Sequence, residues 1–307
     1  MLRVVDNPAT FTPGPQRRSR PRFDIQYALR ADGARTAFGV AGSGPVLIIP
    51  PGGISHLEFW ETAPGVSAFL QPLTQHRTVV LYDRHGCGLS HRDRTDFTAE
   101  DDMQDIEAVV QALDARRFDL FGHSWGALPA ATYAVRHPDN VRRLVLYGPG
   151  MGMPGTAPPG SHAYERRAAM AALRRADLDL FARSMLMRAF PSGVDEENFR
   201  IFVWMQRIAA SAEVQERLET VRFDGHLVLD EVQVPTLVLH RRDDQLAAFS
   251  IGEHCAQQIP KARFIPLEGD IHFAWLGDWH SVISPILEFL MEDASAGLAS
   301  PRGPAFT

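Results

Sequence analysis

A serine between two glycines is the strongest chemical signal in the chain. The segment Phe118–Ala127 reads FDLFGHSWGA and holds Gly122, Ser124 and Gly126 in a G-x-S-x-G pattern. An apolar run typical of a buried strand leads into the pattern, and a helical run follows it. A strand-to-helix turn this tight strains the serine backbone and requires small residues two places before and after it. The turn lifts the hydroxyl clear of the sheet, so Ser124 is predicted to be a nucleophile.

A serine hydroxyl attacks a carbonyl at neutral pH only with a base to take its proton and an acid to orient that base. The chemistry to expect is therefore acyl transfer. Lysine-based chemistry is close to excluded, because Lys261 is the only lysine and follows Pro260 between a predicted helix end and a strand. No metal and no organic cofactor is expected.

Strands and helices alternate on both sides of this motif, which predicts a parallel sheet covered on both faces. Two extended runs around Asp32 and Gly33 predict a β-hairpin before the alternation begins. The remaining predicted strands cover residues 46–50, 78–82, 118–122, 141–147, 234–240 and 262–267, and the predicted helices begin near Thr98 and cover 125–137, 248–259 and 279–291. Residues 161–222 contain several helical patterns with no strand between them. The simplest architecture is one α/β domain with a helical insertion.

The predicted organisation has a tail over 1–22, a core formed by 23–150 and 230–292, a helical insertion over 151–229 and a second tail over 293–307. The insertion holds six of the nine methionines together with several aromatic residues, and as a group they favour an apolar ligand. The methionines concerned are Met151, Met153, Met170, Met185, Met187 and Met205.

Composition excludes several classes of protein. With 307 residues and 45% hydrophobic residues, a sizeable core can form. A formal net charge of −6 argues against a dedicated nucleic-acid or membrane-surface binder. Cys87 and Cys255 fit no metal-ligand pattern and are expected to be separate thiols. No signal peptide or membrane span is expected, and the predicted location is the cytoplasm.

A second motif, Asp-Arg-x-Gly-x-Gly-x-Ser over residues 83–90, accompanies the serine pattern. With both motifs, the chain resembles the α/β-hydrolase superfamily over roughly residues 23–292. It is also similar to esterase-like hydrolase domains that occur beside bacterial regulatory and cyclase modules. Because its tails are short, no such module is expected here. The resemblance implies a mostly parallel eight-stranded sheet with helices on both faces and an inserted helical cap.

The resemblance also implies the partners of Ser124, because the chain order in this fold is serine, acid, histidine. The family's spacing after a late strand falls on Asp244, with Asp243 as the second choice. The loop after the last strand ends in His272, which is the expected base. His123, next to the serine, is expected to pack beneath the site instead.

An oxyanion hole requires two backbone N–H groups directed at the developing negative charge. The resemblance implies the N–H of Trp125 and that of Gly53, with Gly52 as an alternative because Pro50 stands where the family has a histidine. Pro50 and Pro51 have no N–H and are excluded as donors.

The expected activity is hydrolysis of a carboxylic ester or lactone with an apolar acyl group, and the expected partner is that small substrate. A prolyl-iminopeptidase-like enzyme is an alternative, with acidic residues of the insertion as amine ligands (Glu165, Asp195, Glu196 and Glu197). Asp195, Glu196 and Glu197 equally fit a helix start. A carbon–carbon hydrolase, a perhydrolase and a slow-turnover ligand receptor also stay open, as does the oligomeric state.

Overall fold

One eight-stranded sheet organises the computed structural model, which describes residues 21–94, 96–150, 160–193, 195–221, 223 and 229–292. The strands are β1 (Asp24–Leu29), β2 (Arg35–Gly42), β3 (Val46–Ile49), β4 (Thr78–Tyr82), β5 (Phe118–His123), β6 (Val141–Tyr147), β7 (Thr236–Arg241) and β8 (Arg263–Leu267). Their order across the sheet is β1-β2-β4-β3-β5-β6-β7-β8. β2 runs antiparallel to β1 and β4, and the other neighbouring pairs are parallel. The predicted fold class is confirmed.

Ten α-helices lie in the described part of the chain. They are α1 (Leu57–Thr62), α2 (Pro64–Thr74), α3 (Ala99–Ala112), α4 (Ala127–Arg136), α5 (His162–Ala176), α6 (Leu178–Ala189), α7 (Glu196–Ala209), α8 (Ala212–Thr220), α9 (Phe249–Gln258) and α10 (His280–Met291). Neither α1 nor α2 was expected from the sequence. Pro64 is the first residue of α2, a position where a helix loses no hydrogen bond to proline.

Side chains of the central strands point alternately to the two faces of the sheet, and each face has its own hydrophobic core. Leu47 and Ile49 of β3 pack on one face with α1, α2 and α10, whereas Ile48 packs on the other with α3, α4 and α9. Successive side chains of a strand point to opposite faces, so a strand buried on both sides must be apolar throughout. Helices α5–α8 lie between β6 and β7 in the chain, and parts of α6 and α7 join the first core.

The parallel strands bring the loops that carry the predicted site residues to one edge of the sheet. β3 lies between β4 and β5. The chain adds β4 on one side of β3 and then β5 on the other, so the strand order changes direction next to β3. Ligands of open α/β sheets bind at such a point, outside the carboxyl ends of the strands. The loops after β3, β5, β7 and β8 all leave from that edge.

None of the helices in the described ranges has both the length and the apolar character that crossing a bilayer requires. Cys87 and Cys255 are buried free thiols, as expected. Burial raises the pKa of each thiol to about 12, so neither is a reactive thiolate at neutral pH. Met151, Met153 and most of the two predicted tails lie outside the described residues.

Candidate active site

Ser124 lies on the turn between β5 and α4 in the left-handed region of backbone space, with φ of 52°. Its two flanking glycines are required by close backbone contacts. A Cβ at Gly122 would lie 2.6 Å from Cα of Ala127, and one at Gly126 would collide with the carbonyl oxygen of Pro50. The G-x-S-x-G pattern is therefore a steric condition for the turn that presents the hydroxyl.

The structure brings Ser124, His272 and Asp244 together in a hydrogen-bonded line. Nε2 of His272 is 2.8 Å from Oγ of Ser124, and Nδ1 of His272 is 2.6 Å from Oδ2 of Asp244. The histidine and aspartate side chains are both 1% exposed. Ser124 comes from the end of β5, Asp244 follows β7 and His272 follows β8. The arrangement can transfer a proton from the serine to a histidine whose tautomer the carboxylate holds.

The loop after β7 holds Asp244 as a carboxylate. Oδ1 of Asp244 accepts hydrogen bonds from the N–H groups of Leu246 (2.8 Å) and Ala247 (2.9 Å). Burial opposes ionisation, but His272, His240 and the N–H of Ala247 hold the pKa of Asp244 well below its ordinary value. The neighbouring residue Asp243 is exposed. Of the two acids that the sequence analysis considered, Asp244 is the one that the structure places beside the histidine.

His240 is a partner of Asp244 that the sequence analysis missed. It lies on β7 four residues before the acid, and its Nε2 is 3.4 Å from Oδ2 of Asp244 and 3.0 Å from the carbonyl oxygen of Ala247. Its side chain is fully buried, and Gly252 of α9 leaves room for it, because a Cβ there would lie 2.5 Å from Nδ1 of His240. A histidine at the end of the largely apolar run VPTLVLH, four residues before Asp244, was the available signal.

Arg241 connects the two loops on which the acid and the base lie. Its guanidinium donates to the carbonyl oxygens of Glu268 and Asp278, both at 2.6 Å. Its Nε also donates to the hydroxyl of Tyr147 at the end of β6 (3.3 Å). Because Glu268 and Asp278 flank the segment that contains His272, Arg241 fixes that segment against β7.

His123 packs beneath the catalytic candidates, as the sequence analysis expected. Its Nε2 is 3.3 Å from the carbonyl oxygen of His272, and the centroids of the two rings are 5.2 Å apart. Burial and the neighbouring His272 lower the pKa of His123 to about 3. His123 is therefore a neutral side chain at physiological pH and no second base.

The turn after β3 lies against this same group. Gly52 faces His123, where a Cβ would lie 2.9 Å from Nδ1, and Gly126 packs under Pro50 and Pro51. Gly52, Gly53 and Trp125 all line the cavity that contains Ser124. The structure thus places both predicted oxyanion donors, Gly53 and Trp125, together with the alternative Gly52, at the same cavity as the serine.

The Asp-Arg-x-Gly-x-Gly-x-Ser motif forms a buried polar support for this edge of the sheet. Oδ2 of Asp83 accepts from the N–H groups of Leu57 (3.2 Å) and Leu89 (2.8 Å), and Gly88 allows that approach because a Cβ there would strike the carboxylate. Arg84 forms a two-point ion pair with Asp102, at 2.6 and 2.7 Å.

Next to Arg84, a group formed by His85, Asp102 and Asp105 has its ligand atoms within 4.8 Å of one another, a spacing that a metal ion could use. These carboxylates already have cationic or hydrogen-bonding partners. Asp102 binds Arg84, and Asp105 binds Arg30 (2.6 Å), Thr36 (2.7 Å) and His85 (2.6 Å). The residues present fit a buried ion-pair network better than a metal centre.

A cavity of about 250 Å³ opens above Ser124 between the sheet edge and helices α5–α8. Most of its lining is apolar or aromatic; the aromatic residues are Phe59, Trp60, Trp125, Phe181, Phe190, Phe202, Phe273 and Trp275. Met170, Met185 and Met205 of the inserted helices also line it. Glu165, Asp195, Glu196 and Glu197 are exposed and lie outside the lining, and Asp195 caps α7 through the N–H of Asn198.

Comparisons with known proteins agree with this architecture. The model of a family described as "alpha/beta hydrolase fold" matches residues 45–185. The chain is 31% identical over 123 residues to the proline iminopeptidase of Heyndrickxia coagulans, a match covering 38% of this chain and 39% of that protein. It is 24% identical over 228 residues to RutD of Rhizobium rhizogenes, named as a candidate carbamate hydrolase, covering 72% of this chain and 85% of that one.

Solved structures share the whole fold. The esterase from Exiguobacterium antarcticum superposes with a TM-score of 0.75 at 20% identity, covering 87% of this chain and 99% of that one. A hydrolase from Pseudomonas aeruginosa gives a TM-score of 0.72 at 24% identity, covering 88% and 99%. By its matched segment, its sheet order and these superpositions, the chain has the α/β-hydrolase fold.

Proposed function

We propose that this protein is a serine hydrolase that cleaves a carboxylic ester or lactone with an apolar acyl group through an acyl-enzyme. The observation that carries the proposal is the continuous line from Oγ of Ser124 through His272 to Asp244, with separations of 2.8 and 2.6 Å. This line ends at an apolar cavity. The esterase and hydrolase names of the superposed structures support the same class of reaction.

The first half of the reaction forms the acyl-enzyme. Nε2 of His272 takes the proton of Ser124 as Oγ bonds to the substrate carbonyl carbon, and the carbonyl electrons move onto its oxygen. The carboxylate of Asp244 stabilises the imidazolium that results. When the tetrahedral intermediate collapses, the bond to the leaving oxygen breaks, and His272 gives that oxygen its proton.

The second half repeats these steps with water. His272 takes a proton from a water molecule as the water oxygen attacks the acyl carbon. Collapse then breaks the bond to Oγ, and the proton returns to Ser124 as the carboxylic acid leaves. In both halves the negative oxygen is to be held by the backbone N–H groups of Gly53 and Trp125. Losing one such donor typically raises the barrier by about 2.7–4 kcal/mol.

An aminopeptidase activity on the same triad is less well supported, although three relatives are proline iminopeptidases. A substrate with a free ammonium group would need a carboxylate to bind it. Within the described residues, the cavity lining contains no aspartate or glutamate, but it does contain arginines. The positive charge of the cavity therefore disfavours an amine.

The direct test is active-site labelling combined with ester turnover. A fluorophosphonate probe is expected to label Ser124, and p-nitrophenyl esters are expected to give a burst of nitrophenol equal to the enzyme concentration. Ser124→Ala should abolish labelling and burst together. A purified, folded protein that shows neither would exclude the hydrolase and favour a ligand receptor on this fold.

A further inference from the structure

The cavity above Ser124 is apolar along most of its wall but carries positive charge on the side of the inserted helices. Arg166 and Arg174 of α5 and Arg188 of α6 line it, and in the described part of the chain no acidic residue does. Arg84 also reaches the cavity, but Asp102 already pairs with it at two points. Arg174 stacks on the ring of Phe181, with its guanidinium carbon 4.0 Å from the ring centroid.

Arg188 is held close to the catalytic acid. Its guanidinium donates to the carbonyl oxygens of Gln245 and Leu246, the latter at 3.1 Å. The N–H of that same Leu246 holds Oδ1 of Asp244. Arg188 is therefore anchored to the loop that positions Asp244 and also lines the cavity.

Arg166 faces the same space from the neighbouring helix. Its Nε is buried and has no hydrogen-bond partner among the described residues. Arg166 is also close enough to Arg188 to help lower the pKa of that guanidinium, after burial as the larger cause, whereas Asp244 acts in the opposite direction. Two cations that share a half-buried cavity repel each other, and a buried donor with no acceptor is costly. An anion bound between them would relieve both costs.

We propose that Arg166 and Arg188 bind a carboxylate of the substrate. The preferred substrates are then esters or lactones that combine an apolar chain with a free carboxylate, and neutral esters of equal length are poorer. The predicted preference in turnover rests on the proposed hydrolase function, whereas binding of the carboxylate does not. Guanidinium groups suit this role because they remain charged and offer paired donors that match the two carboxylate oxygens.

Two pairs of substrates test the preference on either side of the scissile bond. Mono-p-nitrophenyl adipate and p-nitrophenyl hexanoate have acyl chains of equal length and differ in the terminal carboxylate. 4-Acetoxybenzoate and its methyl ester differ in the same way on the leaving group. For at least one pair, kcat/KM of the wild type should be about 10-fold or more in favour of the anion, the size expected of a charge-assisted contact.

Arg166→Gln and Arg188→Gln should each remove most of that preference through a higher KM for the anionic ester. In Arg166→Gln, kcat/KM for the neutral ester should fall less than kcat/KM for the anionic ester, because the neutral substrate has no carboxylate for Arg166 to bind. Arg183→Gln is the matched control, since Arg183 lies on α6 but is exposed. If the wild type shows no preference in either pair, or if both variants lose neutral and anionic turnover equally, the arginines are structural and the proposal is wrong.

Binding separates this inference from the hydrolase proposal. Ser124→Ala protein is titrated calorimetrically with the monoanilide of adipic acid and with hexananilide. Tighter binding of the anion, lost in Ser124→Ala/Arg166→Gln, would support the carboxylate site even if the wild type turned over no ester. Turnover of p-nitrophenyl hexanoate with equal binding of the two anilides would instead support the hydrolase and exclude the carboxylate site.

Discussion

At the scale of single residues, the geometry of the site depends on Asp244, because both of its carboxylate oxygens have hydrogen-bond partners. One carboxylate oxygen faces His272 and His240, and the other accepts two backbone N–H groups. A carboxylate with this many donors stays ionised and has one orientation. The adjacent Asp243 has an exposed side chain and can make no comparable contribution.

We therefore expect Asp244→Asn and Asp243→Asn to differ sharply in ester turnover. The amide at 244 carries no charge to stabilise the imidazolium and can hold His272 in the wrong tautomer. The change should lower kcat by about 10³- to 10⁴-fold, the scale known for this substitution in other triads. Asp243→Asn should retain activity within about threefold. Steady-state kinetics with a short p-nitrophenyl ester measures both, and equal losses would contradict the assignment of Asp244.

At the scale of the secondary-structure elements, two short segments determine where the site lies. The turn after β5 carries Ser124, and it fits only because Gly122 and Gly126 have no side chains. The inserted helices supply the far wall of the cavity, and each of them begins at a side-chain cap: Ser161, Asp177, Asp195 and Ser211.

Gly126→Ala should damage both stability and activity. The new methyl group would meet the carbonyl oxygens of Pro50 and Pro51, so the turns after β3 and β5 would have to separate. Overpacking of this kind costs about 1–3 kcal/mol in the free energy of unfolding. The denaturant concentration at the unfolding midpoint and the rate of fluorophosphonate labelling should both fall.

Gly150→Ala is the control for stability, because a Cβ there would lie no closer than 3.7 Å to its neighbours among the described residues. This variant should unfold at the same denaturant concentration as the wild type. Equal destabilisation by the two substitutions would mean that the contact with Pro50 does not determine the cost at Gly126.

The cap of α6 gives a prediction about the inserted helices. The carboxylate of Asp177 accepts from the N–H of Leu180 at 2.9 Å, and the backbone N–H of Asp177 donates to the carbonyl oxygen of Leu173 at the end of α5. Asp177→Ala leaves that N–H without its partner and should lower the free energy of unfolding by about 1 kcal/mol. Asp177→Asn keeps an acceptor oxygen and should lose less than half of that. Chemical denaturation followed by circular dichroism compares the three proteins, and equal stability would exclude the cap as a source of helix stability.

At the scale of the whole molecule, Asp83 joins parts of the fold that are distant in sequence. Its carboxylate binds the start of α1 and the loop after β4, and it is fully buried. Burial raises its pKa from 3.8 to about 7, although the N–H groups of Leu89 and Leu57 act against the change. As pH rises, the carboxyl of Asp83 therefore loses its proton at a lower pH in the unfolded chain than in the folded protein.

The sign of the resulting pH dependence follows from that proton. Between pH 3.8 and about 7 the folded state binds more protons at Asp83 than the unfolded state. The contribution of Asp83 to the free energy of unfolding should therefore decrease as pH rises through this range, by at most about 1.4 kcal/mol per pH unit. Asp83→Asn should remove this component. Urea unfolding of both proteins at several pH values measures it, and parallel curves would contradict the raised pKa.

Local patterns in the sequence were sufficient for most of the fold. Apolar runs and helical spacing depend on residues within a few positions of one another, so the eight strands, α3, α4 and the helices of the insertion were all expected from the sequence. Helices α1 and α2 were not. The nucleophile motif is also local, since the steric requirement at Gly122 and Gly126 acts on the turn itself.

The sequence by itself determined the class of fold, the position of the elbow serine and the order in which its expected partners follow. The tertiary structure decided which groups converge: Asp244 instead of Asp243 beside His272, His240 behind the acid, and Arg166 and Arg188 across one cavity. The physical reason is the distance along the chain over which the determining interactions act. A strand or turn is specified by its immediate neighbours, whereas the charge and shape of a cavity depend on side chains brought together from distant helices and loops.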